Sequence, residues 1–287
     1  MIPIKFKNTN DFEEMYDNMV SGCNHSKIQM LDNWCAQYLS VHKFKDVVLA
    51  GFDTIMEIVA DHKNFSADYK KSKEFSSVKT YMTKTMYANH FPRDEFLRHF
   101  DDLQVCPYCN RNYINTLSDY NLYELDHFYP ESEYPILAVS FYNIVPCCPS
   151  CNHHKSAEKI SYSPHDTRYS DADHLMKFAY HISDIDFLKN EKSIDICMYY
   201  DPVMKDNVDK FNLEEAYNFH KKEVQDILRK KRLYSDEYIS SLLYNFPDLF
   251  NDVDDVKHMV YGASAKTQEL LIEPLSKLKK DILRLDI

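Results

Sequence analysis

Two C-x-x-C pairs constrain this chain more than any other feature. Cys106-Pro-Tyr-Cys109 and Cys148-Pro-Ser-Cys151 are separated by thirty-eight residues. Each pair turns two thiolates toward one point, and two pairs supply the four sulfurs of a closed tetrahedral Zn2+ site. Such a site has no open coordination position, so the metal's expected role is to hold the fold. Buried free thiols are the competing reading, but they do not explain why a proline follows the first cysteine of both pairs. Cys147 adjoins Cys148 and is a conceivable substitute, although the C-x-x-C spacing favours Cys148. Cys23, Cys35 and Cys197 lack this context and read as core.

The remaining sequence narrows the fold. The N-terminus, Met1-Ile2-Pro3-Ile4-Lys5, has no apolar signal segment, and no apolar run approaches membrane-spanning length. A soluble, cytoplasmic protein with reduced thiols is expected. With 287 residues, 44% of them hydrophobic, the chain has enough apolar mass for a sizeable core. Only three glycines occur, Gly22, Gly51 and Gly262. That argues against Gly-rich phosphate loops and a turn-rich all-β fold. The expected class is mainly α with a small α+β core. Three regions are expected: helical 1–100, a core at 101–165 that carries the chemistry, and mostly helical 166–287.

Apolar periodicity predicts helices over Ser26–Leu39, Val47–Ile58 and, less regularly, Phe75–Tyr87. It also predicts one helix from Leu213 through Leu228, with Glu214 and Glu215 early and Arg229 to Arg232 late, as the macrodipole favours. Further helices are expected at Asp236–Tyr244 and Pro274–Leu285, and alternation predicts a strand over Ser193–Tyr199.

Three short pieces lie between and just after the cysteine pairs: Glu124-Leu-Asp-His-Phe-Tyr-Pro130, Phe141-Tyr-Asn-Ile-Val-Pro146 and Cys151-Asn-His-His-Lys155. Tyr123 and Leu125 alternate with Glu124 and Asp126, as in a half-buried strand, which places His127 at the strand end. Pro130 and Pro135 suggest an extended crossing. A helix is expected from Asn152 to about Lys159.

In this order, the pieces resemble the core of an H-N-H (ββα-metal) endonuclease stapled by zinc. The resemblance implies that His127 is the general base, that Asp126 and Asn152 ligate a catalytic Mg2+ or Mn2+, and that Asn143 holds the backbone beside the histidine. Many members have His where this chain has Asn152; an amide oxygen suits a hard cation. Farther along, Leu213-Glu-Glu-Ala-Tyr-Asn-Phe-His220 and Pro274-Leu-Ser-Lys-Leu-Lys-Lys-Asp281 are similar to tail segments of Septu-type antiphage nucleases. That implies DNA hydrolysis in antiviral defence, beside an SMC-like or AAA-type ATPase. RNA cleavage, or a non-catalytic zinc module that binds nucleic acid or protein, are the alternatives.

Charge adds one puzzle. The chain carries −11 overall, and the stretch from Cys106 to Lys159 has six acidic residues against three basic. Phosphate affinity must come from elsewhere: the basic stretches 221–232 and 277–284 are candidates, a partner protein is another source, and solvated helix faces are the competing reading of those stretches. Lys155 reads equally as a phosphate contact or a solvated helix residue. His153 is a site candidate, His154 reads as exposed, His165-Asp166 as able to approach the site, and His220 as a core histidine.

Overall fold

The computed structural model describes residues 1–93, 95–118, 120–262 and 270–284. Contacts group the described residues into two compact units, neither continuous in sequence. One comprises Pro3–Leu103 and Ile114–Ser170; the other comprises Met1–Ile2, Gln104–Tyr113 and Asp171–Ile287.

In the first unit, α1 (Phe12–Ser21), α2 (His25–Tyr38), α3 (Phe44–Val48), α4 (Phe52–Lys63), α5 (Ala67–Lys70) and α6 (Lys73–Tyr81) precede the small sheet. Caps explain several of the starts. Asn24, Ser66 and Ser72 accept from backbone N–H groups in the first turns of α2, α5 and α6. The helix expected over Val47–Ile58 is two helices, parted at Leu49 to Gly51. Gly51 is the N-cap of α4, and the α3 carbonyl of Val47 accepts from the buried Ser140 hydroxyl. Beyond α6 the backbone widens into a π-helical stretch, Met82–His90.

Strand β1 (Glu124–His127) pairs antiparallel with β2 (Ile144–Cys147), with Asp126 opposite Val145 and His127 opposite Ile144. Pro135 opens a 3-10 turn, Pro135–Val139, where an extended crossing was expected. Helix α7 (Pro149–Lys155) follows β2. It starts three residues earlier than expected, because Pro149 at its first position has a preset φ and no N–H to satisfy. It stops at Lys155, before Ser156 adopts φ +51°.

In the second unit, α8 (Ala172–Leu175) leads into β3 (Met176–Ile182), which pairs antiparallel with β4 (Ile194–Tyr200). The expected strand is therefore β4, one residue along, and β3 went unread. Helices α9 (Lys205–Lys210), α10 (Leu213–Asn218), α11 (Lys221–Leu233), α12 (Asp236–Asn245), α13 (Val253–Tyr261) and α14 (Ser276–Arg284) complete the unit. Leu285, the last residue of the expected terminal helix, lies outside the described residues. The single helix expected from Leu213 to Leu228 is broken between α10 and α11. Tertiary hydrogen bonds favour the break: the Asn218 amide pairs with both the N–H and the carbonyl of Ile196, and the Tyr217 hydroxyl donates to the Cys109 carbonyl. His220, expected on an apolar face, is instead the N-cap residue of α11 and accepts from Arg111 Nε at 3.0 Å.

The first C-x-x-C pair is held tightly in this second unit. Asn110, at φ +51°, donates to the Leu270 carbonyl, and its side-chain oxygen accepts from the Lys277 N–H. No helix among the described residues is long and apolar enough to cross a membrane.

Candidate active site and cysteine cluster

The sulfurs of Cys106, Cys109, Cys148 and Cys151 all lie within 4.8 Å of one another, and all four side chains are buried. A tetrahedral zinc site with Zn–S bonds of ~2.3 Å spaces its sulfurs by roughly 3.8 Å. The donor set therefore fits Zn2+, with each ligand also a soft thiolate. Cys147 is not in the cluster. It is buried beside Asp126, and burial pushes its thiol well up, so it remains protonated. Cys35 is buried as expected, while Cys23 and Cys197 are half-buried.

The second constellation lies wholly in the first unit. An open cleft of about 590 Å³ is lined by Tyr87, Glu124, Asp126, His127, Glu131, Asn152 and His153, among others. Strand β1 presents Glu124, Asp126 and His127, and α7 presents Asn152 and His153. Asp126 is buried, contrary to the expected alternation, which put it on the polar face. Its carboxylate accepts from Lys155 Nζ at 2.9 Å, and the same ammonium donates to the His127 carbonyl at 2.8 Å. Lys155 is fully buried. It is neither a phosphate contact nor a solvated helix residue. It fixes the Asp-His dipeptide from beneath, because a buried carboxylate needs a paired and hydrogen-bonded partner.

His127 Nε2 lies 2.8 Å from the Ala138 carbonyl. A carbonyl only accepts, so Nε2 carries the proton in this arrangement. Nδ1 is then the ring's proton-accepting atom. Burial lowers the imidazole's affinity for a second proton, against the opposing pull of the Ala138 carbonyl and of Glu131 and Asp126. The ring is thus held neutral and in one tautomer. The Tyr87 ring packs edge-on against it, with centroids 4.5 Å apart.

Asn143 is fully buried at the end of a 3-10 turn, immediately before β2. Its side-chain oxygen accepts from the Tyr129 N–H, while its amide donates to the Tyr129 and Leu137 carbonyls. Its backbone carbonyl accepts from the Phe128 N–H at 2.8 Å. One side chain thereby ties together both ends of the loop that follows His127. Asn152 Nδ2 donates to Glu124 Oε2 at 2.7 Å, which directs that amide toward β1.

Two carboxylates given no role from the sequence enter the cleft. Glu124 shares a strand face with Asp126, a period-two relation the sequence does contain. Glu131 had no local signal. Its Oε2 is buried and has no hydrogen-bond partner. A desolvated, unpaired carboxylate oxygen is costly unless a cation meets it. Glu131 lines the same cleft as Asp126 and Asn152, and oxygen donors of this kind are those a hard divalent ion takes.

The other candidates fall elsewhere. His154 is exposed. His165 is buried against Phe6, Phe100 and Tyr142, with Nε2 2.9 Å from the Ile144 carbonyl, and does not line the cleft. Asp166 is committed to Arg168 through three hydrogen bonds, one from the arginine's backbone N–H and two from its guanidinium. The basic stretches 221–232 and 277–284 are largely spent on internal partners. Lys221 pairs with Asp195, Lys222 and Arg229 with Asp226, Lys277 with Asp173 and Asp281, and Lys280 and Arg284 with Asp173.

Comparison with known families matches one segment of the chain. Residues 106–162 match the HNH endonuclease family model, the span that holds both the cysteine cluster and the Asp-His cleft. An HNH endonuclease domain points to a nuclease that uses metal ions and acts on nucleic acid. No curated protein and no solved structure gives a significant match to the chain.

Proposed function

We propose that the chain is a metal-dependent endonuclease that hydrolyses phosphodiester bonds in DNA, with His127 as general base. The observation that carries this reading is the gathering of Asp126, His127, Glu131 and Asn152 on one cleft inside the HNH-matched segment. In this reading Asp126, Asn152 and Glu131 hold Mg2+ or Mn2+. When bound, that ion supplies Lewis-acid stabilisation of the negative charge that develops on the phosphoryl and leaving 3′ oxygens. Neutral Nδ1 of His127 accepts a proton from water as the water oxygen bonds to phosphorus and the bond to the 3′ oxygen breaks. The Nε2–H bond to Ala138 keeps Nδ1 as the accepting atom throughout. Lys155 and Asn143 position Asp126 and the His127 loop without touching substrate. Zn2+ at the four cysteines is structural.

The finer reading is an effector nuclease of Septu-type antiphage defence, working in the cytoplasm beside an SMC-like or AAA-type ATPase. It rests on the tail segments at 213–220 and 274–281, and co-purification with an ATPase encoded next to it tests that part separately.

The central test is plasmid nicking with added Mg2+ or Mn2+. His127→Ala is expected to lose about 10²- to 10⁴-fold in rate while keeping the wild-type circular dichroism spectrum and melting temperature. Full activity in that folded variant removes His127 as the base.

A further inference from the structure

An acidic nuclease needs a local surface that neutralises phosphates, and in the basic stretches near the C-terminus Lys221, Lys222, Arg229, Lys277, Lys280 and Arg284 pair with internal carboxylates. The first unit offers a different surface. Residues 63–84 contain six lysines and two acidic residues, in a chain of net charge −11. Three of the basic side chains of this face, Lys71 and Lys73 with Lys27 of α2, line a shallow depression of about 520 Å³. Among the described residues no carboxylate lies within ion-pair distance of any of the three, and all three are exposed. The rest of the lining is largely hydroxyl-bearing: Ser72, Ser76, Ser77, Thr80, Tyr81 and Thr85. Three ammonium groups around one concavity repel each other, and an anion removes that repulsion. Hydroxyls donate to phosphate oxygens without adding charge, and the start of α6 contributes the favourable end of a helix dipole.

The depression also has the right connection to the cleft. The helical run 73–90 passes from one to the other: Thr85 lines the depression and Tyr87 lines the cleft. Lys79, on the same run, donates to the carbonyl of Ser132 in the cleft wall at 2.8 Å. The 9 residues of α6 alone span about 13 Å at ~1.5 Å per residue, and the π-helical stretch carries the run on to Tyr87. That α-helical part alone is about four base-pair steps of a duplex at ~3.4 Å each.

Resting on the nuclease reading, we propose that Lys27, Lys71 and Lys73, with the serine and threonine row of α6, form the track that binds the phosphodiester backbone of the nucleic-acid substrate and leads it to the cleft.

The test compares wild type with Lys27→Gln/Lys71→Gln/Lys73→Gln and the matching triple Lys→Arg variant. Fluorescence anisotropy is measured on a 30-base-pair DNA duplex and an RNA of the same sequence, across a salt series with no divalent cation added. The glutamine variant is expected to bind about tenfold more weakly or worse. Its slope of log affinity against log salt should be shallower by about 2.7 on duplex, three phosphates' worth. The arginine variant should retain the wild-type slope. The same loss on an unrelated duplex confirms backbone rather than base recognition, and the tighter of the two polymers identifies the substrate. Wild-type binding with an unchanged slope in the glutamine variant overturns the track and leaves the nuclease reading standing. So does a loss accompanied by a lower melting temperature or weaker Mn2+ binding by calorimetry, which marks general damage. Wild type that binds neither polymer removes both readings.

Discussion

Among the described residues lysine is buried against carboxylate in two places, and the two differ in completeness. In the second unit, Lys277 on α14 reaches both oxygens of Asp281 and one of Asp173, and Lys280 and Arg284 also converge on Asp173. Asp281 additionally accepts from the Phe178 N–H of β3. Positive and negative groups saturate one another, as a purely structural network must when it is taken out of water. At the cleft, Lys155 serves Asp126 and the His127 carbonyl, yet the neighbouring Glu131 keeps a buried oxygen with no partner. One network is closed and the other keeps an unpartnered carboxylate oxygen, the difference on which the proposed metal site rests.

Lysine removal breaks the comparison most strongly. Lys277→Met and Lys155→Met should each cost about 3–5 kcal/mol, because either leaves a buried carboxylate uncompensated. Mn2+ separates them in thermal melts. It should recover stability in Lys155→Met, where the cleft gains demand for a cation, and give no extra recovery in Lys277→Met. Equal responses would erase the distinction.

Acid titration comes next. Burial opposes ionisation of Asp173, but hydrogen bonds from Lys277, Arg284 and Lys280 outweigh it and hold the carboxyl well below its usual range. A depressed folded value means this stabilisation is complete above the unfolded value of ~3.9 and drains away as pH falls through the folded one. Denaturant melts of wild type should therefore lose stability below about pH 4. Asp173→Asn should start less stable and lose less over that interval.

The smallest effect is expected at Glu131. Glu131→Gln should weaken Mn2+ binding about tenfold by calorimetry, the scale on which groups around a metal tune affinity. Its metal-free stability should stay within about 1 kcal/mol of wild type, since the buried oxygen makes no hydrogen bond that the change would break. A large loss of metal-free stability would make Glu131 structural instead.

The chemistry was more legible than the packing. Cysteine spacing announced the sulfur cluster, and the Asp126-His127, Asn143 and Asn152 signature marked the segment that matches the HNH family. Helices with regular apolar periodicity were legible too, α2 and α12 among them. Period reading failed where non-local bonds interrupt a locally good helix, as between α10 and α11, where Asn218 is taken by Ile196. It failed again at Asp126, whose place on the polar side of the alternation is overturned by a lysine twenty-nine residues away.

By itself the sequence determined which side chains can ligate, accept a proton or pair with phosphate, because those are properties of residue type and short spacing. Which of them are used was decided only in three dimensions. Lys155 became a buried counter-ion, Lys277 and Lys280 were consumed by Asp173 and Asp281, Glu131 was left with an unmet oxygen, and Lys27 came beside Lys71 and Lys73. Charge pairing and desolvation act through space, and chain separation says little about which groups will meet.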